Sequence, residues 1–235
     1  MGAVLALQAA KDEIRRRFPH VLLTGQPHLR PLAPVAKGEL EGESEEDLRP
    51  PFERLVGWPL ARGSCLALGG RGATSLAWKM MARARTELGE RVAYVDGTRA
   101  FFPPGASAAG VDLKSLLWLH CPDLGKALRA VELLLASRLF GLVVFDPPPG
   151  QANDVLARRL SLVLLRAPSR LVVLERPATY HNVRVHHRVS VEAAKPQWIK
   201  GQPRCGAAGW ELLARPLSAG GKRPEALVQL SVGGK

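Results

Sequence analysis

Three glycines, a threonine and two aspartates are the residues of this chain whose types and spacing suggest chemistry. Gly69, Gly70 and Gly72 lie between a short apolar strand, Ser64 to Leu68, and a helical stretch, Thr74 to Leu88; a second apolar strand, Arg91 to Val95, ends in Asp96. Strand, glycine turn, helix and strand in that order make a nucleotide-binding βαβ unit, in which N–H groups at the helix N-terminus cradle phosphate. Thr74 opens the helix with a hydroxyl, and Asp146 closes another continuous apolar strand, Gly141 to Phe145. The loop itself departs from the G-x-x-x-x-G-K-[ST] spacing of a working phosphate loop. Only Gly70 and Arg71 separate Gly69 from Gly72, and Ala73 stands where the lysine belongs. We therefore expect a nucleotide-binding fold that has kept its shape and lost its chemistry. Two uses of the glycines stay open: a phosphate cradle helped by Arg71 or Lys79, or a tight strand-to-helix turn. Asp96 and Asp146, at the carboxyl ends of adjacent strands, would face a ligand in such a sheet or cap turns.

Other combinations are poorer. His120, Cys121, His181, His186, His187 and Cys205 match no zinc spacing, and His186 and His187 would point to opposite faces of a strand, so no metal site is expected. Ser64, Ser75 and Ser161 have no His and Asp at helpful spacing for nucleophilic catalysis. Trp58, Trp78, Trp118 and Trp210 read as core or edge packing. Trp198 differs, because Lys195, Lys200 and Arg204 surround it in a Pro/Gly-rich loop; an aromatic among cations stacks on a base or fills a partner's pocket.

The elements that must position these residues alternate. Asp123 is placed to cap a helix over Leu124 to Arg138, Gln151 to Arg166 reads as another helix, and Leu116 to Leu119 and Arg170 to Leu174 as strands. Pro103 to Gly110 reads as a loop. Strands that are apolar throughout, alternating with helices, predict an α/β fold with a mostly parallel sheet covered on both faces. Val183 to Val191 alternates apolar and polar residues, as a half-exposed antiparallel strand does, and Trp210 to Ala214 and Ala226 to Val232 read as further edge strands. The expected organisation is an N-terminal helix (1–18), a proline-rich and acidic linker (19–53), a core (54–192) and a basic C-terminal β extension (193–235). In the first of these, Leu7, Ala10, Ile14 and Phe18 form an amphipathic stripe, suited to the same domain or to a neighbouring subunit. In the second, Glu39 to Asp47 holds six acidic residues in nine positions, too polar to form a core of its own.

Composition bounds the function. The 235 residues are 46% hydrophobic, enough for one sizeable core. The formal charge is +12, and from Gly150 onward 14 Lys and Arg face 5 Asp and Glu, a net +9. An anionic partner, nucleic acid or acidic protein, would meet that half. Three widely spaced cysteines suggest no disulfide framework and a reducing cytoplasm, and no apolar run long enough to span a membrane is present.

These segments resemble the RecA recombinase family. LARGSCLALGG is similar to the strand before the phosphate loop, RGATSLAWKMMARA to the loop and its helix, GLVVFD to the Walker B strand, and ALQAAKDEIRRRF to the helix by which such proteins join in a filament. The resemblance implies a vestigial cofactor site at Gly69, Gly70, Gly72, Thr74 and Asp146. The departures are the missing lysine, Thr98 in place of the water-activating acid expected two positions after Asp96, and too short a segment between Asp146 and Arg170 for a long DNA-binding loop. Losing both catalytic groups argues against an ATPase and leaves no cofactor expected. A small, degenerate RecA-like chain with a basic C-terminal β region is similar to the ImuA accessory proteins of error-prone translesion synthesis. That likeness implies induction by the DNA-damage (SOS) response and contact with ImuB, an inactive Y-family polymerase relative. Through ImuB it implies an indirect link to an error-prone C-family polymerase, and the filament-type helix implies RecA as a further partner. The alternatives are a SulA-like inhibitor of the division protein FtsZ, a type shorter than this chain, and a weak nucleotide-dependent ATPase or DNA-binding switch.

Overall fold

The computed structural model describes residues 12, 23–24, 58–152, 154–176, 179–180, 182–198, 207–216 and 226–231, with side chains for 12, 58–152, 154–176, 182–192 and 212–214. Of the amphipathic N-terminal stretch only Asp12 is described, and it is helical; the rest of that stretch and, apart from Leu23 and Thr24, the expected linker (19–53) lie outside the described residues. A two-residue strand β1 (Leu23–Thr24) precedes the glycine unit, which forms as the sequence predicts: β2 (Cys65–Gly69), α1 (Ala73–Thr86) and β3 (Val92–Asp96). Next come α2 (Pro103–Ala108), β4 (Leu117–His120), α3 (Leu124–Ala136) and β5 (Leu142–Asp146). The chain then runs through β6 (Gly150–Gln151), α4 (Asp154–Arg166), β7 (Arg170–Leu174) and β8 (Thr179–Tyr180) to β9 (His187–Trp198), β10 (Ala207–Pro216) and β11 (Ala226–Ser231).

Nine strands form one sheet in the order β1-β4-β3-β5-β7-β2-β9-β10-β11. The pairs from β4 through β9 are parallel, and β1, β10 and β11 add antiparallel edges. Side chains on a strand alternate between faces, so a strand buried on both sides must be apolar throughout. Leu66, Leu68, Tyr94, Val144 and Val172 pack on one side with Leu76, Met80 and Met81 of α1 and Ala106 of α2. Cys65, Val95, Phe145 and Val173 pack on the other with Leu128, Val131 and Leu135 of α3 and Leu160 and Leu164 of α4.

Three sequence expectations change within the core. Pro103 to Gly110 is largely the helix α2, because prolines suit its first turn and Gly-Ala-Ser-Ala lets it lie against Trp78. The segment read as an antiparallel strand from Val183 begins as β9 only at His187. It runs parallel to β2 on one side, Leu66 opposite His187, and antiparallel to β10 on the other. Its alternation reflects partial exposure at the rim of the parallel sheet: Val189 and Val191 are buried while Arg188 is exposed. The helix expected from Gln151 starts at Asp154, since Gly150 and Gln151 pair instead with Thr179 and Tyr180. The sheet continues through residue 192, inside β9, into the basic C-terminal strands.

Candidate functional site

Adjacent parallel strands put Asp96 of β3 directly beside Asp146 of β5, each at its strand's last residue and each fully buried. The sequence expectation that the two lie at neighbouring carboxyl ends is met, and their surroundings separate them. The Asp96 carboxylate accepts from the backbone N–H of Thr98 (3.1 Å), Ala100 (3.2 Å) and Phe101 (3.3 Å) and from Trp118 Nε1 (3.3 Å). It thereby organises the loop that follows its own strand. Its carbonyl accepts from Cys121 N and lies 2.9 Å from His120 Nδ1. Because His120 Nε2 accepts from Arg99 Nε at 2.9 Å, the ring proton is on Nδ1.

Asp146 meets a cation. Arg176, two residues past the end of β7, donates from Nε to Oδ1 at 2.9 Å and from Nη2 to Oδ2 at 2.8 Å, a forked pair. Thr98 donates its hydroxyl to Oδ2 at 3.0 Å, and Tyr94 adds a longer bond at 3.4 Å. Burial, with Asp146 and Asp96 nearby, pushes the Tyr94 phenol well up and keeps its proton in place. The hydrogen bond to Asp146 raises Arg176 in turn. One strand further, Glu175 accepts from Arg188 at 2.7 Å. Arg176 is the residue that sequence reading missed; its only signal is a basic residue just beyond a buried strand.

One side of the glycine loop packs against protein, while Gly70 and Arg71 are exposed. Gly72 N–H donates to Val191 O at 3.3 Å. A Cβ on Gly70, whose φ is +92°, would lie 2.1 Å from that same oxygen, and one on Gly72 would lie 2.7 Å from Val191 Cγ1 and 2.8 Å from Leu212 Cδ2. These glycines give β9 and β10 room to close over the turn, whereas a Cβ on Gly69 would meet Glu175 only at 3.5 Å. Thr74 is half-buried in the first turn of α1. In this arrangement the residues do not fit a magnesium–nucleotide complex: both Asp146 oxygens hold a guanidinium, and a carbonyl sits against the loop N–H. Burial, and then Arg83, lower Lys79.

The remaining candidates are scattered. Among the described residues no group of three or more His, Cys, Asp and Glu could hold a metal ion. Burial pushes the Cys65 thiol up to about 12 and the Cys121 thiol up to about 11, so both stay protonated at neutral pH. Trp58 donates to Glu87 and lies under Arg83, Trp78 packs edge-on against Phe101, and Trp118 holds Asp96. Lys195 and Trp198, expected in a loop, have their backbone in β9, where pairing with β10 continues to Trp198 opposite Ala207; the Trp198 side chain, Lys200, Arg204, Leu7, Ala10, Ile14 and Phe18 lie outside the described residues. Among those described, no helix is long and apolar enough to cross a membrane.

No family model and no curated protein matches the chain. Among solved structures, the crystal structure of the RadB recombinase is similar to it with a TM-score of 0.52 at 15% identity, covering 77% of this chain and 93% of that one. With the strand–glycine turn–helix unit, the parallel core and the paired aspartates, the chain has the RecA-like fold.

Proposed function

We propose that the protein is a non-catalytic RecA-like accessory factor of SOS-induced, error-prone translesion DNA synthesis. It acts in the cytoplasm through protein contacts: with an ImuB-type inactive polymerase relative, with an error-prone C-family polymerase through it, and with RecA. The observation that carries the non-catalytic part is the Asp146–Arg176 pair, supported by the Val191 carbonyl against Gly72 N–H. Groups that would serve a nucleotide bind each other instead. The resemblance to the ImuA proteins supplies the pathway, and the net +9 from Gly150 onward favours an anionic partner, protein or DNA, at that half.

The test is a titration of the full chain with ATP and magnesium, with and without single-stranded DNA, alongside co-purification with an ImuB-type protein. No turnover and a stable ImuB complex are expected. DNA-stimulated phosphate release would overturn the non-catalytic reading in favour of a nucleotide-dependent switch, and failure to co-purify would overturn the partnership. For RecA, deleting residues 1–18 is expected to abolish binding in a pull-down; unchanged binding would remove the filament-type helix from the account.

A further inference from the structure

We propose that Arg176 is a built-in counter-cation whose guanidinium holds Asp146 where sheets of this fold offer a carboxylate to a divalent ion, so that the folded chain is complete without metal. A fully buried carboxylate must be paired with a cation or heavily hydrogen-bonded. Asp96 and Asp146 stand side by side and meet this need differently. Asp96 takes four neutral N–H donors, three of them from the backbone of its own loop, and needs no cation. Asp146 has two neutral hydroxyl donors, both on Oδ2, and its Oδ1 receives Arg176.

The pairing is selective. Arg99, Arg188 and Arg176 each have their own acceptor: Arg99 turns to His120, Arg188 to Glu175 and Arg176 to Asp146. Arg176 reaches sideways from the end of β7 over the neighbouring β5, and only about a third of its side chain is exposed. A fork that bonds both carboxylate oxygens supplies in one side chain the charge and directionality that an ion would otherwise bring. This goes beyond the proposed function, since it holds whatever partner the protein serves.

The experiment compares wild type, Arg176→Ala and the double variant Arg176→Ala/Asp146→Asn. Each is melted with and without millimolar manganese, and bound manganese is read by electron paramagnetic resonance on the same samples. Wild type is expected to bind no ion and to melt at the same temperature throughout. Arg176→Ala is expected to melt roughly 5–10 °C lower, to bind manganese and to recover part of that loss with it. The double variant is expected to melt above Arg176→Ala and to ignore the ion, because residue 146 no longer carries a charge and Asp96 keeps its own neutral donors. Should Arg176→Ala not fold alone, folding of the double variant gives the same answer. Manganese binding to wild type, indifference of a folded Arg176→Ala to the ion, or a double variant no more stable than the single one would each overturn the proposal.

Discussion

Two arginine–carboxylate pairs of the same chemistry sit at opposite ends of the parallel strands. At the amino end, Arg170, the first residue of β7, places Nη1 2.7 Å from both oxygens of Glu90, just before β3, while its Nε donates to the Leu60 carbonyl. Glu90 lies flat on Gly141, where a Cβ would come within 2.2 Å of it. This pair therefore ties the approach to β2, the approach to β3 and the starts of β5 and β7 into one unit. Both side chains are closed in, at 7% and 13% exposure. At the carboxyl end Asp146 is at 0% and Arg176 at 36%. Sheets of this kind bind ligands at their carboxyl ends. The amino-end pair joins segments, whereas the carboxyl-end pair fills a ligand position from within and leaves its cation within reach of solvent.

Removing the cation at each end is the sharpest way to break this comparison. Arg170→Ala takes the close hydrogen-bond donor from Glu90 and from the Leu60 carbonyl and leaves Glu90 only the exposed Arg62, 3.9 Å away, so we expect a loss of about 3 kcal/mol in urea unfolding. Arg176→Ala should cost less, because its partly exposed site lets water reach Asp146. If Arg176→Ala proved the more damaging, the distinction between a sealed joint and an open ligand position would fail. The glycine loop sharpens the same point one strand away. Gly70→Ala drives a methyl into the Val191 carbonyl at a left-handed φ and is expected to cost roughly 3 kcal/mol, against under about 1 kcal/mol for Gly69→Ala, which meets only the Glu175 side chain. Equal tolerance at both positions would mean that β9 does not close over the turn.

The unequal legibility of these two ends has a physical reason. Apolar runs such as Leu142–Asp146 and Arg170–Leu174 are dictated by burial on both faces, so the strands of the sheet core and the aspartates that end them are legible in local pattern. The partner of Asp146 could not. Arg176 is 30 residues away, and Arg170 is 80 residues from Glu90. Such contacts exist only once the strand order is fixed, and one arginine in an arginine-rich chain carries no mark of which carboxylate it will meet. The same holds for Gly70 and Gly72. Their spacing suggested a phosphate cradle or a turn, and what presses on them is a strand about 120 residues later whose register the sequence does not specify. β9 is legible only in part for a related reason: alternation reports exposure, and the strand is antiparallel to β10 as expected but parallel to β2.

Local features, by contrast, govern smaller effects. Asp123 accepts from Lys126 N–H at 2.8 Å as the cap of α3, which is what Asp before an apolar helix predicts. Asp123→Ala is expected to cost about 1 kcal/mol in the same urea assay. A value near that of Arg170→Ala would indicate that Asp123 has a role beyond capping.

The smallest effect tests how β9 is fastened to the glycine unit. His186 bonds Cys65 twice, its own N–H donating to the Cys65 carbonyl at 2.9 Å and its Nδ1 accepting from the Cys65 N–H at 3.0 Å. A protonated ring cannot accept that bond, and burial, then Arg184 and His187, lower its pKa from the ordinary 6.5. The unfolded chain therefore takes up a proton near 6.5 that the folded chain refuses until lower pH. The contribution to stability is present above that value and lost as the pH falls through the lowered one. His186→Asn keeps an acceptor near the position of Nδ1 and does not titrate. Wild type should accordingly lose melting temperature more steeply than His186→Asn as the pH is taken below 6.5, and a difference that stays constant with pH would show that this histidine is not what makes the β2–β9 junction acid-sensitive. Because β9 also supplies the Val191 carbonyl that meets Gly72 N–H, a steeper slope would further predict that acid loosens the cover on the glycine turn while the amino-end pair, which contains no histidine, holds.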